Sequence, residues 1–123
     1  MARILVADDD VAQVNLQRRL LEALGHEVET ALSTAETLEQ LARHGPDLIV
    51  IDLRFPTAAE GMALIRGIRY AGCLQPVIVL SGWPDDLYGA PEERMVSRIV
   101  MKGSVRELLR TIAGLLANVL PGA

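Results

Sequence analysis

Residues 47–52 read DLIVID, and this short stretch decides the fold class of the chain. Its four central residues are all aliphatic, which is typical of a β-strand covered on both faces, as in a parallel sheet. The strand ends at Asp52. Three similar runs also end at polar residues: residues 3–7 (RILVA) at Asp8, residues 76–80 (PVIVL) at Ser81 and residues 98–101 (RIVM) at Lys102. A weaker strand at residues 27–31 is interrupted by charges, which indicates an edge position.

Helical patterns separate these predicted strands. The first helix follows Asp10, a suitable N-cap, and further helices begin at capping boxes in residues 33–36 and 104–107. A third helix is expected at residues 61–71. In the first helix, Leu16, Leu20 and Leu24 recur at intervals of four residues. The residues predicted to face inward are Leu38 and Leu41 in the second helix, and Val105, Leu108, Leu109, Ile112, Leu116 and Val119 in the last.

Residues 82–96 fit this alternation least, because they contain two glycines and two prolines. Only residues 91–96 are expected to be helical there, with Pro91 in the first turn. Five strands alternating with helices still predict an α/β domain of three layers, with a doubly wound parallel sheet in the middle. The 123 residues are enough for one such domain and too few for two ordinary ones.

Composition excludes several classes of protein. The 12 basic and 16 acidic residues give a net charge of −4, and without a basic cluster we expect no nucleic-acid binding by this domain itself. No apolar run reaches the ~20 residues of a membrane span, so no membrane association is expected. The N-terminus becomes acidic too early for a signal peptide. The lone Cys73 cannot form an internal disulfide, which favours a cytoplasmic protein.

The polar residues at the strand ends predict a phosphoryl-transfer site. Strand ends of a parallel sheet lie on one edge, where ligands gather, so Asp8, Asp9, Asp52, Ser81 and Lys102 should converge. Clustered carboxylates need a cation, and Mg²⁺ prefers such oxygen ligands. A carboxylate can attack phosphorus, while an ammonium and a hydroxyl stabilise the transferred group. Each residue alone has an ordinary explanation as a turn, cap or solvated side chain; their coincidence at successive strand ends favours a site.

The same residues resemble the receiver domain of two-component response regulators. The likeness covers essentially the whole chain and is carried by ILVADDD, PDLIVIDL, Pro56 four residues after Asp52, GMALIRGIR, PVIVLSG and IVMKGS. It implies a flavodoxin-like strand order of 2-1-3-4-5. It also implies that residues 1–123 form a single receiver domain, with any output domain C-terminal to it.

The resemblance further implies a role for each site residue. Asp52 would accept a phosphoryl group from a sensor histidine kinase or a histidine phosphotransfer protein. Mg²⁺ would be held by Asp8, Asp9, Asp52 and the backbone carbonyl of Arg54. Ser81 and Lys102 would bind the phosphoryl oxygens. A homodimer through the face formed by the short helix at residues 91–96 and the last helix is also consistent with this family.

Several positions depart from the family pattern. Ile99 stands where most members have a Tyr or Phe that moves on phosphorylation, and Gly103 replaces a proline, so we predict a trans Lys102–Gly103 bond. A β-branched Ile99 cannot reproduce the movement of a ring. We therefore predict that residues 82–96 are the bistable element, held by few buried contacts, and that Trp83 reports on the change.

Two alternative functions remain open. One is a receiver-like protein-interaction domain whose output does not depend on phosphorylation, which Ile99 and residues 82–96 favour and the intact acidic and basic residues oppose. The other is an enzyme on a similar fold. A flavodoxin would need a phosphate-binding loop after the first strand, where three aspartates stand instead. A haloacid-dehalogenase-type phosphatase would need an aspartate two residues after the nucleophile, where this chain has Arg54.

Overall fold

A parallel sheet forms the middle layer of the computed structural model, which describes residues 2–83 and 86–119. Its strands are β1 (Arg3–Ala7), β2 (Glu27–Ala31), β3 (Leu48–Asp52), β4 (Val77–Ser81) and β5 (Arg98–Met101). Neighbouring strands are all parallel, in the order β2-β1-β3-β4-β5. The structure confirms the predicted α/β fold, its strand order and the edge position of β2.

Helices cover both faces of the sheet. They are α1 (Val11–Ala23), α2 (Thr34–His44), α3 (Ala58–Tyr70) and α4 (Val105–Val119), with a short 3₁₀ helix at Pro91–Met95. Alternation along the strands divides the aliphatic side chains into two cores. One core packs against α2 and α3 and includes Ile49, Ile51, Leu64 and Ile65, whereas the other packs against α1 and α4.

Side-chain N-caps mark the start of α1, α2 and α3. Asp10 accepts hydrogen bonds from the N–H groups of Ala12 and Gln13 at 3.0 and 3.3 Å, which confirms it as the N-cap of α1. The Ser33 hydroxyl accepts from Glu36 N–H at 3.0 Å at the start of α2. Helix α3 begins at Ala58, three residues earlier than predicted, because Thr57 acts as its N-cap.

The leucines that recur every four residues in α1 do not form its buried face. The structure buries Val14, Gln17 and Leu21 against the sheet, while Leu16 and Leu24 are 47% and 59% exposed. The leucines at four-residue intervals form a second stripe beside the buried one, and periodicity alone does not tell the two apart. The residues Leu38 and Val105 are more exposed than predicted. Leu108, Ile112 and Leu116 are buried as predicted, and the Val119 side chain lies outside the described residues.

Gly61 allows α3 to pack directly on the backbone that follows β3. A Cβ atom at this position would lie 1.7 Å from the carbonyl oxygen of Leu53, far inside any tolerated contact. Leu53 is itself fully buried, and its N–H donates to the Leu80 carbonyl at 2.9 Å. The chain beyond Asp52 is therefore fixed by α3 on one side and by the end of β4 on the other.

Candidate functional site

Two carboxylates lie almost fully buried at the carboxyl edge of the sheet. Asp52 ends β3 and Asp8 follows β1, and the two strands are direct neighbours. Asp52 is 5% exposed and Asp8 is 1% exposed. Asp9, the next residue, is exposed. Asp8, Asp9 and Asp52 each offer one carboxylate oxygen to a common point, and these three oxygens lie within 4.8 Å of one another.

Lys102 provides the positive charge that faces these carboxylates. Its Nζ lies 2.7 Å from Oδ2 of Asp52, and its backbone N–H donates to the Ser81 carbonyl at 2.9 Å. Burial opposes the charge on Lys102, but its hydrogen bond to Asp52 and the nearby charges of Asp52, Asp8 and Asp10 outweigh burial and raise its pKa. The lysine is therefore a fixed cation at this edge of the sheet.

Asp8 has an oxygen that lacks a partner within the described part of the chain. Its Oδ1 accepts from the N–H of Asp10 at 3.0 Å, but its buried Oδ2 accepts no hydrogen bond there. Burial raises the pKa of Asp8 to about 6, against a lowering by the hydrogen bond from Asp10 and a further rise caused by Asp52. An unpaired buried carboxylate oxygen beside two further carboxylates fits a hard divalent cation such as Mg²⁺, which takes oxygen ligands.

Ser81 is buried at the end of β4, one strand away from Asp52. Its hydroxyl oxygen accepts a hydrogen bond from the backbone N–H of Trp83 at 3.0 Å, and its proton remains available to donate. The structure therefore brings Asp8, Asp9, Asp52 and Lys102 together and places Ser81 at the same edge.

The Arg54 side chain makes contacts that sequence reasoning missed. The sequence pointed only to its backbone carbonyl, yet its guanidinium lies 4.7 Å from the centre of the Trp83 ring. Its Nη2 also lies 3.0 Å from Oδ2 of Asp86. Arg54 and Trp83 each stand two residues beyond a strand end, the one signal that could have suggested this pairing.

Residues 86–95 are held more firmly than the sequence suggested. Leu87 is fully buried in the core on the α3 side. The prediction of few buried contacts was therefore wrong for this part; Pro84 and Asp85, which belong to the same predicted segment, lie outside the described residues. The predicted short helix is present as the 3₁₀ helix.

Two arginines of α3 hold the 3₁₀ helix. Arg66 pairs at 2.9 Å with Glu92, whose side chain is only 8% exposed. Arg69 donates at 2.7 Å to the carbonyl of Met95. Ile99, on the neighbouring β5, is half-buried against the same core.

The Lys102–Gly103 peptide bond is trans, as predicted. Within the described residues, the peptide bond that adopts the cis form is Phe55–Pro56. Gly103 has a φ of +98°, a conformation that glycine adopts without strain. The chain therefore turns after Lys102 through the flexibility of glycine.

An apolar crevice between α1 and α4 lies beside Lys102. Leu16, Leu20, Met101 and Val105 contribute to its lining, and Leu16, Met101 and Val105 are exposed. The side-chain oxygen of Gln17, a buried residue of this lining, accepts no hydrogen bond within the described part of the chain. Two of the recurring leucines of α1, Leu16 and Leu20, thus line a surface next to the site.

No helix within residues 2–83 and 86–119 is both long enough and apolar enough to cross a membrane.

Comparison with known proteins gives one consistent result. The family model of the response regulator receiver domain matches residues 4–113. Response regulator MprA of Mycobacterium leprae is 39% identical over 79 residues, which are 64% of this chain and 34% of that protein. The chain thus matches about a third of the length of this curated relative.

Solved structures agree with the family match. The receiver domain of the Francisella response regulator 1452 superposes with a TM-score of 0.83 at 25% identity, covering 98% of this chain and all of that one. Response regulator TrrA of Thermotoga maritima, solved in complex with Mg²⁺–BeF, has a TM-score of 0.83 at 25% identity, over 94% of this chain and 99% of that one.

Proposed function

Because the chain belongs to the response regulator receiver domain family, we propose that it is a phosphorylation-switched signalling module in which Asp52 is the phosphoryl acceptor. The observation that carries the proposal is the pairing of a buried Asp52 with Lys102 at 2.7 Å, beside the carboxylates of Asp8 and Asp9. A structural salt bridge would not require the two further carboxylates, which repel Asp52 unless a cation joins them.

The proposed reaction is a direct phosphoryl transfer. A carboxylate oxygen of Asp52 attacks phosphorus, the bond between phosphorus and the donor breaks, and its electron pair leaves with the donor. Lys102 neutralises charge on the phosphoryl oxygens, and the Ser81 hydroxyl donates a hydrogen bond to one of them. The protein thus catalyses only its own phosphorylation and dephosphorylation and turns over no other substrate.

Mg²⁺ is the proposed cofactor. Asp8, Asp9, Asp52 and the backbone carbonyl of Arg54 would hold it, and the unpartnered oxygen of Asp8 supports this assignment. When bound, the ion would neutralise charge on the transferred group. The close packing of Gly61 on the Leu53 carbonyl fixes the backbone immediately before Arg54, so the proposed carbonyl ligand is held in place.

We propose a sensor histidine kinase or a histidine phosphotransfer protein as the donor, with the module in the cytoplasm. The donor's histidine must approach Lys102 and Asp52 closely. The exposed apolar side chains of Leu16, Met101 and Val105 border that approach and offer a contact surface for a protein donor. The curated relative is nearly twice as long as this chain, and an output domain C-terminal to residues 1–123 belongs to this proposal.

A small-molecule phosphodonor tests the chemistry without knowledge of the kinase. Incubation with acetyl phosphate and Mg²⁺ should add one phosphoryl group, measured by intact mass and located at Asp52 by peptide mapping. Asp52→Asn and omission of the divalent ion should each abolish the labelling. Labelling that persists in either control would contradict the proposal.

A second candidate is a protein-interaction domain whose output does not depend on phosphorylation, favoured by the aliphatic Ile99. On this view docking, including a homodimer through the face formed by the 3₁₀ helix and α4, proceeds equally in both states. Sedimentation or partner titration with and without phosphorylation separates the two functions, because only the switched module changes its affinity.

A further inference from the structure

The Arg54 side chain is held by two contacts at the protein surface. Its guanidinium stacks on Trp83 and pairs with Asp86; the Arg54 side chain is 50% exposed and that of Asp86 is 26% exposed. Water screens a guanidinium that is half exposed, so its ion pair and its cation–π contact each contribute little to stability. The guanidinium can therefore leave both partners when a stronger anion is offered nearby.

Both ends of this contact are attached to the site. Arg54 follows Asp52 by two residues, and the chain around it is fixed by the fully buried Phe55, whose N–H donates to the Thr57 carbonyl at 3.2 Å. Trp83 is tied to Ser81 through the hydrogen bond to its hydroxyl. The Arg54–Trp83 contact thus connects the loop after β3 with the loop after β4.

The charge of a phosphorylated site favours a further cation. A phosphoryl group adds about two negative charges to those of Asp8 and Asp9, more than one divalent ion and Lys102 neutralise. A guanidinium binds phosphoryl oxygens through two parallel N–H bonds, which are stronger than an exposed pair with a carboxylate. Among the cations of the chain, Arg54 is the one closest in sequence to Asp52.

From these observations we propose that Arg54 changes partners, leaving Asp86 and Trp83 to bind the phosphoryl oxygens on Asp52, and so loosens the chain at Asp86, directly before the buried Leu87. The inference rests on the proposed phosphorylation of Asp52. It makes Arg54 a phosphoryl-binding residue, whose two sets of partners couple the chemistry to the neighbouring loop.

The release should stop before the 3₁₀ helix. Glu92 is almost buried in its pair with Arg66, and Met95 is held through its carbonyl by Arg69. Neither arginine belongs to the loops around Asp52, so a phosphoryl group offers them no competing partner. The predicted bistable element, residues 82–96, is therefore divided into a part near Asp52 that responds and the 3₁₀ helix, which does not.

Mg²⁺ with beryllium fluoride, a phosphoryl mimic, tests this proposal on the full chain. Trp83 is the only tryptophan, so its emission reports directly on the loss of the guanidinium. Binding of the mimic should shift Trp83 emission in the wild type, and Arg54→Gln should remove the shift and weaken binding about tenfold. Asp86→Asn should strengthen binding about two- to fivefold, because a competitor for Arg54 is lost.

The controls are Arg18→Gln and Glu22→Gln, which disrupt an exposed ion pair on α1 whose arginine is about as exposed as Arg54, and they should change neither reading. Hydrogen exchange should become faster at Asp86, whose N–H donates to the Trp83 carbonyl, and stay unchanged at residues 91–96. A wild type that fails to bind the mimic would refute the proposed phosphoacceptor function. Normal binding with unchanged Trp83 emission, or with no gain in Asp86→Asn, would leave that function intact and overturn the partner change.

Discussion

Two regions flank the end of β4, and they differ in what fixes the positions of their residues. On the β1 and β3 side, Asp8 and Asp52 follow directly from buried strands, so the backbone places them. On the other side, residues 86–95 are placed by side chains of distant elements, chiefly Arg54, Arg66 and Arg69. The first arrangement, the rigid side, is fixed by the strands themselves, whereas the second, the adjustable side, depends on how far individual side chains reach.

The largest expected effect concerns the rigid side and the packing of Gly61. Gly61→Ala places a methyl group 1.7 Å from the Leu53 carbonyl oxygen, so either α3 or the chain after Asp52 must move. We expect a loss of about 3 kcal/mol or more in the free energy of unfolding, measured by urea denaturation.

Gly67→Ala is the matched control for that substitution. It lies in the same helix, where a new Cβ meets only Leu38 methyl groups at 3.6 and 3.7 Å. We expect it to be neutral or to stabilise by up to about 1 kcal/mol, because alanine favours helix. Equal effects at Gly61 and Gly67 would show that the backbone after β3 is not fixed by this contact.

The second effect follows from the raised pKa of Asp8, from 3.8 to about 6. A raised acid pKa means that the folded protein binds the proton more tightly than the unfolded chain does. The stability that the folded protein gains from this tighter binding of the proton is therefore complete below pH 3.8 and is lost as the pH rises through about 6. Asp8→Asn should consequently stabilise the metal-free protein at pH 7, by on the order of 2 kcal/mol.

Thermal or urea unfolding at several pH values checks this expectation. The gain from Asp8→Asn should shrink as the pH falls below about 6, and added Mg²⁺ should stabilise the wild type more than the variant. Asp9→Asn alters an exposed carboxylate and serves as the control for removal of one charge. If the stabilisation by Asp8→Asn does not depend on pH, ionisation of Asp8 is not its cause.

The third effect tests how firmly the far part of the adjustable side is held. Arg66→Ala leaves the nearly buried Glu92 without its partner, which should cost about 1–2 kcal/mol in the free energy of unfolding, reduced because Arg66 itself is partly exposed. The same truncation at Arg18, in an exposed pair with Glu22, should cost less than about 1 kcal/mol. If both cost the same, the 3₁₀ helix is not anchored by α3.

These contrasts show why the sequence predicted one side better than the other. Strand ends, caps and strand order follow from local patterns, and Asp8, Asp52 and Lys102 were placed correctly from them. The buried stripe of α1 was not, because two neighbouring stripes of that helix are both largely apolar. The contacts of Arg54 and Arg66 depend on how far α3 and its preceding loop reach across the molecule, which no local pattern encodes.

The smallest expected effect concerns Ile99, which the resemblance to the family places where most members would have a moving aromatic ring. Ile99→Val removes one methyl group from a half-buried side chain and should cost about 0.5 kcal/mol, whereas the same change at the fully buried Ile78 should cost about 1 kcal/mol. If the Arg54 contact is the element that responds, the shift in Trp83 emission on mimic binding should be the same in Ile99→Val as in the wild type. A shift that disappears in Ile99→Val, but persists in Ile78→Val, would move the switch to β5. The adjustable side would then begin at residue 99, and the arginine contacts of residues 86–95 would serve stability alone.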